Sequence, residues 1–281
     1  MEEMLDEQDL LLKTEELIES KKFTELSEML KVSNSADIAA MLDELSVENM
    51  LIVFRLLSKS SAAEVFVEMD SDKQQILIQA FSDRELKAVI DELYLDDTVD
   101  IIDEMPANVV KRIIRQASPD TRKMINELLK YPDDSAGGIM TPEFVDLRQS
   151  MTVEQAFDKI RRTGVDKETI YTCYVTDDNK HLLGVVTVLE MLLAEKSAVI
   201  GDIMQDNVIY CHTTEDKEEV AAKISKYDFM AIPVVDSEYR LVGIVTFDDA
   251  IDVLEEETTE DMEKMAAILP TDKPYLKTGV F

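Results

Sequence analysis

The chain has 281 residues, with 60 Asp or Glu against 29 Lys or Arg, giving a net charge of −31 and a pI near 4.3. That excess argues against nucleic acid and against an anionic lipid surface, both of which call for basic patches this chain lacks; it favours cations, basic partners or plain solubility. Hydrophobic residues make up 46%, enough for real cores, and the length suits two or three domains. No apolar run approaches the roughly 20 residues of a membrane span, since the most apolar stretch, Leu182–Ala194, is broken by Gly184, Thr187 and Glu190. The start, with Glu2, Glu3, Asp6 and Glu7, is no secretory signal. Cys173 and Cys211 have no CxxC spacing and cannot build a disulfide framework, so a reduced, cytosolic setting is expected.

Residues 1–131 contain no glycine and only Pro106 and Pro119. So few turn formers make helix the default. Apolar residues at Leu45, Leu57, Met69, Phe81, Leu93, Met105, Ala117 and Leu129 recur every 12 residues as helix ends. The residues that follow, Ser46, Ser58, Asp70, Ser82, Tyr94, Pro106, Ser118 and Lys130, are rich in types that begin helices. Ser82-Asp83-Arg84-Glu85 has the form of a capping box. Short helices joined by tight corners and stacked into a superhelix are predicted, with an irregular bundle as the alternative.

Glycine first occurs in Tyr131-Pro-Asp-Asp-Ser-Ala-Gly-Gly138, read as a linker into a β-rich, repeated region. Ile139-Met140-Thr141-Pro142 parallels Ile203-Met204-Gln205-Asp206, and Ile160 parallels Ile224. Cys173–Asp177 parallels Ile232–Asp236, and Gly184-Val-Val-Thr187 parallels Gly243-Ile-Val-Thr246. The offset falls from 64 to 59, so the first copy carries five extra residues near Thr163–Thr169. Each copy reads helix, strand, turn, strand, helix. Two copies this small are expected to pack on each other.

The repeat resembles a tandem cystathionine-β-synthase (CBS) pair, a regulatory module that often holds adenine nucleotides. The family's ribose-contacting pattern, Gly-x-x-Ser/Thr-x-x-Asp, is matched by Gly243, Thr246 and Asp249, and in part by Gly184, Thr187 and Glu190. A carboxylate there can accept two ribose hydroxyls; the plainer reading is that Gly and Thr shape a strand-to-helix corner. With the acidic helical half before it and Glu257-Thr-Thr-Glu-Asp261 after it, the order is similar to the cytosolic half of MgtE magnesium transporters. The resemblance implies an all-α superhelical N domain over 1–131, CBS repeats over 132–200 and 201–257, and a connecting helix over 258–281 that leads to a membrane pore absent from this chain. Pro274–Phe281 looks like the approach to the first span. It further implies a homodimer through the CBS domains, working at the cytoplasmic face of the cell membrane.

Between Asp248 and Glu263 lie nine carboxylates with no basic residue among them, and Asp249, Asp252, Glu256 and Glu260 share a helical face. Like charges one turn apart each cost roughly 0.2–0.5 kcal/mol, so a counter-ion or a basic partner is expected. Asp96 and Asp100 form a second acidic corner. Either cluster alone is as well read as a solvated face or a helix N-terminus that favours acid. The resemblance implies magnesium ligands among Glu64, Asp96 and Asp100 of the N domain. In the CBS pair and connecting helix it implies Asp228, Asp249, Asp252, Glu257, Glu260 and Asp261, with Asp97 and Glu218 as further candidates. These sets are all oxygen, with His181 and His212 isolated, which disfavours zinc and copper. No Asp-x-Asp-x-Asp-Gly loop forms a calcium cage. Magnesium sensing that closes an attached pore is the leading reading, and an ATP-type nucleotide sensor the alternative. No hydrolase, kinase or metalloprotease motif is present, so no enzyme activity is expected.

Overall fold

The computed structural model describes residues 7–266. The first six residues and 267–281, which include the proposed approach to a span, lie outside the described residues. The chain divides into two units, 1–126 and 127–281.

The first unit is all helix. Its elements are α1 (Glu7–Glu19), α2 (Phe23–Leu30), α3 (Ser35–Glu44), α4 (Val47–Phe54), α5 (Lys59–Val67), α6 (Ser71–Ala80), α7 (Asp83–Ile90), α8 (Leu95–Glu104), α9 (Ala107–Gln116) and α10 (Pro119–Leu128), the last running past the unit boundary. Ser46, Ser58 and Ser82 cap α4, α5 and α7 through their hydroxyls, and Ser82 with Glu85 closes a full capping box. Asp70, Tyr94 and Pro106 precede their helices without a side-chain cap bond. Lys130 begins no helix: it lies in the turn after α10, where the period runs into the linker. Helices two apart stack on one another, α1 on α3, α3 on α5, α5 on α7 and α7 on α9. That regularity is the superhelical alternative rather than the irregular bundle. Phe54, Phe66 and Phe81 meet in its core with ring centroids 5.3–6.5 Å apart. Arg112 of α9 donates to the carbonyls of Ile78 and Phe81, satisfying helix-end acceptors one layer away.

The second unit holds two three-stranded sheets of identical topology. The first comprises β1 (Asp146–Arg148), β2 (Thr172–Thr176) and β3 (Leu182–Thr187), with α11 (Val153–Thr163) between β1 and β2 and with α12 (Val188–Leu193) and α13 (Ile200–Ile203) after β3. The second comprises β4 (Cys211–His212), β5 (Ala231–Val235) and β6 (Leu241–Thr246), with α14 (Lys217–Tyr227) between β4 and β5 and α15 (Phe247–Ala266) after β6. In each, the first strand pairs parallel with the second and the second antiparallel with the third. The strands β1 and β4 extend the helix-strand-turn-strand-helix reading. At three and two residues they carry no periodicity of their own. Helix α15 is continuous through position 257, so the last helix of the second repeat and the start of the connecting helix are one element.

The repeats embrace reciprocally. Thr141, at the entry to the first, exchanges backbone hydrogen bonds of 2.8 and 2.9 Å with Ile244 of the second. Gln205, at the entry to the second, does the same with Val185 of the first, at 2.8 and 2.9 Å. Two glycines make this possible. A Cβ on Gly184 would lie 2.8 Å from the Gln205 carbonyl oxygen, and one on Gly243 would lie 2.6 Å from the Met140 sulfur. Between the sheets Tyr174, Ala231, Leu241 and Ile244 form a shared apolar cluster, so neither repeat has a core complete without the other.

Candidate functional site

The two strand-to-helix corners carry the pattern read for ribose. In the first, Thr187 is the N-cap of α12, and its backbone N–H and hydroxyl donate to Glu190 Oε2 at 2.7 and 2.9 Å. The Glu190 backbone N–H returns a bond to the Thr187 hydroxyl at 3.1 Å, completing a capping box. Gln205 donates its amide to Glu190 Oε1 at 2.7 Å. Although partial burial pushes the Glu190 carboxyl up, these three donors outweigh it and hold it below its ordinary range. Both oxygens of Glu190 are thus engaged within the chain, and this corner has the plainer, corner-shaping form. In the second corner Thr246 donates through its hydroxyl at 2.6 Å and its backbone N–H at 3.3 Å to Asp249 Oδ2. The residue at the place of Gln205 is there Thr141, which has no side-chain amide to donate.

The metal candidates fall into separate sets. Asp96 and Asp97 lie in the first turn of α8, where the helix end favours acid, and Asp96 is buried to 9% exposure. Asp100, one turn further on, is exposed, as is Glu64 on α5. In the second unit Asp228 ends α14 in a left-handed conformation (φ 54°) that Asp tolerates better than most residues. Glu218 is exposed in the first turn of that helix. Asp249, Asp252 and Glu257 follow one another along α15, while the side chains of Glu260 and Asp261 lie outside those described. Among the described residues, no group of three or more His, Cys, Asp or Glu side chains is placed to hold a metal ion as a cage. The candidate donors are all carboxylate oxygens, a set that suits a hard cation rather than a soft one.

Two further residues shape this surface and carried no signal in the sequence. Gln205 acts through Glu190, as above. Lys217, at the start of α14, reaches Glu256 of α15 with Nζ at 3.1 Å, across 39 residues of sequence. It supplies from outside the helix a basic partner for the carboxylate run of α15.

Matches to known proteins follow this architecture. Residues 33–134 match the MgtE intracellular N domain, and 136–197 and 200–256 match the CBS domain. The chain is 38% identical over 277 residues to the magnesium transporter MgtE of Thermus thermophilus, covering 97% of this chain and 61% of the transporter. Its fold is similar, with TM-score 0.82 and 37% identity, to the cytosolic domain of the Mg2+ channel MgtE solved in complex with ATP, covering 86% of this chain and 99% of that one. It is also similar, with TM-score 0.83 and 28% identity, to the soluble part of a magnesium transporter, over 90% of this chain and 99% of that one. Among the described residues no helix is long and apolar enough to cross a membrane.

Proposed function

Because the chain belongs to the MgtE family, carrying its intracellular N domain and tandem CBS pair, we propose that it is the magnesium-sensing region of a magnesium transporter, working at the cytoplasmic face of the membrane beside a pore supplied by other residues. The chain spans 61% of the Thermus transporter's length, which leaves ample length for that pore. The observation that carries the reading is the match of both units to the MgtE intracellular N domain and CBS pair, with exposed carboxylates on α5 and α8 in one unit and on α14 and α15 in the other. Glu64, Asp96, Asp97 and Asp100 would hold magnesium on the helical unit. Asp228, Asp249, Asp252 and Glu257, with Glu218, Glu260 and Asp261, would hold it on the CBS pair and connecting helix. Each ion supplies positive charge between acidic segments that otherwise repel, and it favours the compact form only by binding that form more tightly. Several weak sites acting together make the response steep. In the intact transporter, compaction would set the connecting helices and close the pore.

Small-angle scattering with and without millimolar magnesium, at ionic strength matched with sodium, tests this. The expected result is a smaller radius of gyration with magnesium alone, weakened in both Asp249→Ala and Asp96→Ala. A radius that follows ionic strength only, or a response intact in both variants, overturns the sensor.

A nucleotide reading has its own support. The homologous cytosolic domain was solved with ATP, and the second corner of this chain keeps Gly243, Thr246 and Asp249. ATP would bind there, and calorimetric titration should lose its heat in Asp249→Ala. The first corner, Gly184, Thr187 and Glu190, is the weaker candidate because it matches the ribose pattern only in part, with glutamate where the pattern has aspartate. The partner expected on the CBS side is a second copy of the chain. Leu189, Leu192 and Leu193 on α12, and Phe247, Ile251 and Leu254 on α15, are all exposed.

A further inference from the structure

Three parts of the second unit converge on one lysine. The linker that follows α10 lies antiparallel beside the segment before α14: Ala136 N–H donates to the Glu215 carbonyl at 2.7 Å, Gly137 N–H to that of Thr213 at 2.9 Å, and Lys217 N–H to that of Asp134 at 3.1 Å. Lys217 therefore begins α14 while fastened by its own backbone to the linker. Its side chain, only 18% exposed, runs the other way to the 67% exposed Glu256, in the third turn of α15. Helix α14 packs along α15 beneath this link. Burial alone would push the ammonium's pKa down, but Glu256, Asp134 and Glu257 around it reverse the effect, and its pKa lies above the ordinary lysine value.

We propose that Lys217 is a positioning residue that pins the connecting helix to the linker, so that a displacement entering through the linker is passed to α15 rather than absorbed between them. The proposal rests on the reading of α15 as the start of the connecting helix. The acidic run gives the pin its effect: between Asp248 and Glu263 the helix has no basic residue of its own, so a cation anchored outside it sets where that face is held. Covalent continuity does the rest, because the linker is the direct extension of the helical unit's last helix.

The test is a distance distribution between spin labels at Asp133→Cys and Glu255→Cys, both exposed positions, in the full chain with the buried Cys173 and Cys211 left in place. It is recorded without magnesium, so its outcome concerns the pin alone, while the scattering experiment decides the sensor separately. The parent should give a single narrow population. Lys217→Met should lose it, as should Glu256→Gln, which removes the pair from its exposed side if the lysine variant folds poorly. Lys217→Arg, which keeps the positive charge among Glu256, Asp134 and Glu257, should retain it. A narrow population in both Lys217→Met and Glu256→Gln overturns the proposal. So does a broad one in Lys217→Arg, since the lysine would then act by its shape and not by its charge.

Discussion

At the scale of single residues, the reciprocal embrace of the repeats depends on two missing side chains that are not equally replaceable. At Gly243 the nearest atoms to an added Cβ are the Met140 sulfur and Cγ, the end of a flexible side chain that can turn away, with the Thr141 carbonyl oxygen next at 3.0 Å. At Gly184 the Gln205 carbonyl oxygen stands as close as the Met204 sulfur, both at 2.8 Å, and that carbonyl accepts the Val185 N–H. It cannot withdraw without opening the pair. Gly184→Ala should therefore destabilise the CBS unit by about 1–3 kcal/mol, the usual range for overpacking, and adding Met204→Ala should recover only part of that. Urea unfolding with an unchanged m-value reads the difference. Full recovery in the double variant would assign the clash to the methionine and not to the backbone.

At the scale of elements, caps fix where helices of the helical unit begin while its core holds them together. Ser82 Oγ accepts the Glu85 N–H at 3.3 Å, while Glu85 accepts the Ser82 N–H at 2.7 Å and Arg55 Nε at 3.0 Å. The Ser82 backbone bond, with the serine hydroxyl and Arg55 behind it, holds the Glu85 carboxyl below its usual range. Ser82→Ala should cost about 1 kcal/mol of the helical unit's stability, with Ser82→Thr retaining most of it. A neutral Ser82→Ala in urea unfolding would mean that Arg55–Glu85 alone holds the start of α7. Capping is chemistry between neighbours in sequence, which is why the helix starts after Ser46, Ser58, Ser82 and Ser118 were legible from residue types and a 12-residue period. The strands β1 and β4 were not, because what makes them strands is pairing with β2 and β5 more than 20 residues away. The same division runs through the site. Thr187 and Glu190 have capping-box spacing, so the corner-shaping form of the first corner was readable locally, whereas the Gln205 bond to Glu190 was not. Nor could any spacing rule join Lys217 to Glu256. The candidate magnesium ligands were named through family resemblance, since no local pattern relates Asp96 to Asp249.

For the whole molecule, the governing quantity is a charge of −31 on a chain that also exposes apolar side chains on α12 and α15. Bringing two copies together puts like charge beside like charge, which opposes association at low ionic strength. Burial of Leu189, Leu192 and Leu193 with Phe247, Ile251 and Leu254 favours it, through a term that salt does not screen. The two contributions predict an unusual signature for the proposed dimer: it should tighten as sodium chloride rises from low to physiological concentration, the reverse of an interface held by ion pairs. Leu192→Glu, which places a charge where apolar surface is to be buried, should weaken dimerisation by at least about 2 kcal/mol, near 30-fold in dissociation constant. Val32→Glu, at a residue 72% exposed on the helical unit, should leave it unchanged. Sedimentation equilibrium over a salt series checks both. A chain that stays monomeric at tens of micromolar, or a dimer that salt dissociates, would remove the apolar face of the CBS repeats as the site of self-association and turn attention to charged contacts instead.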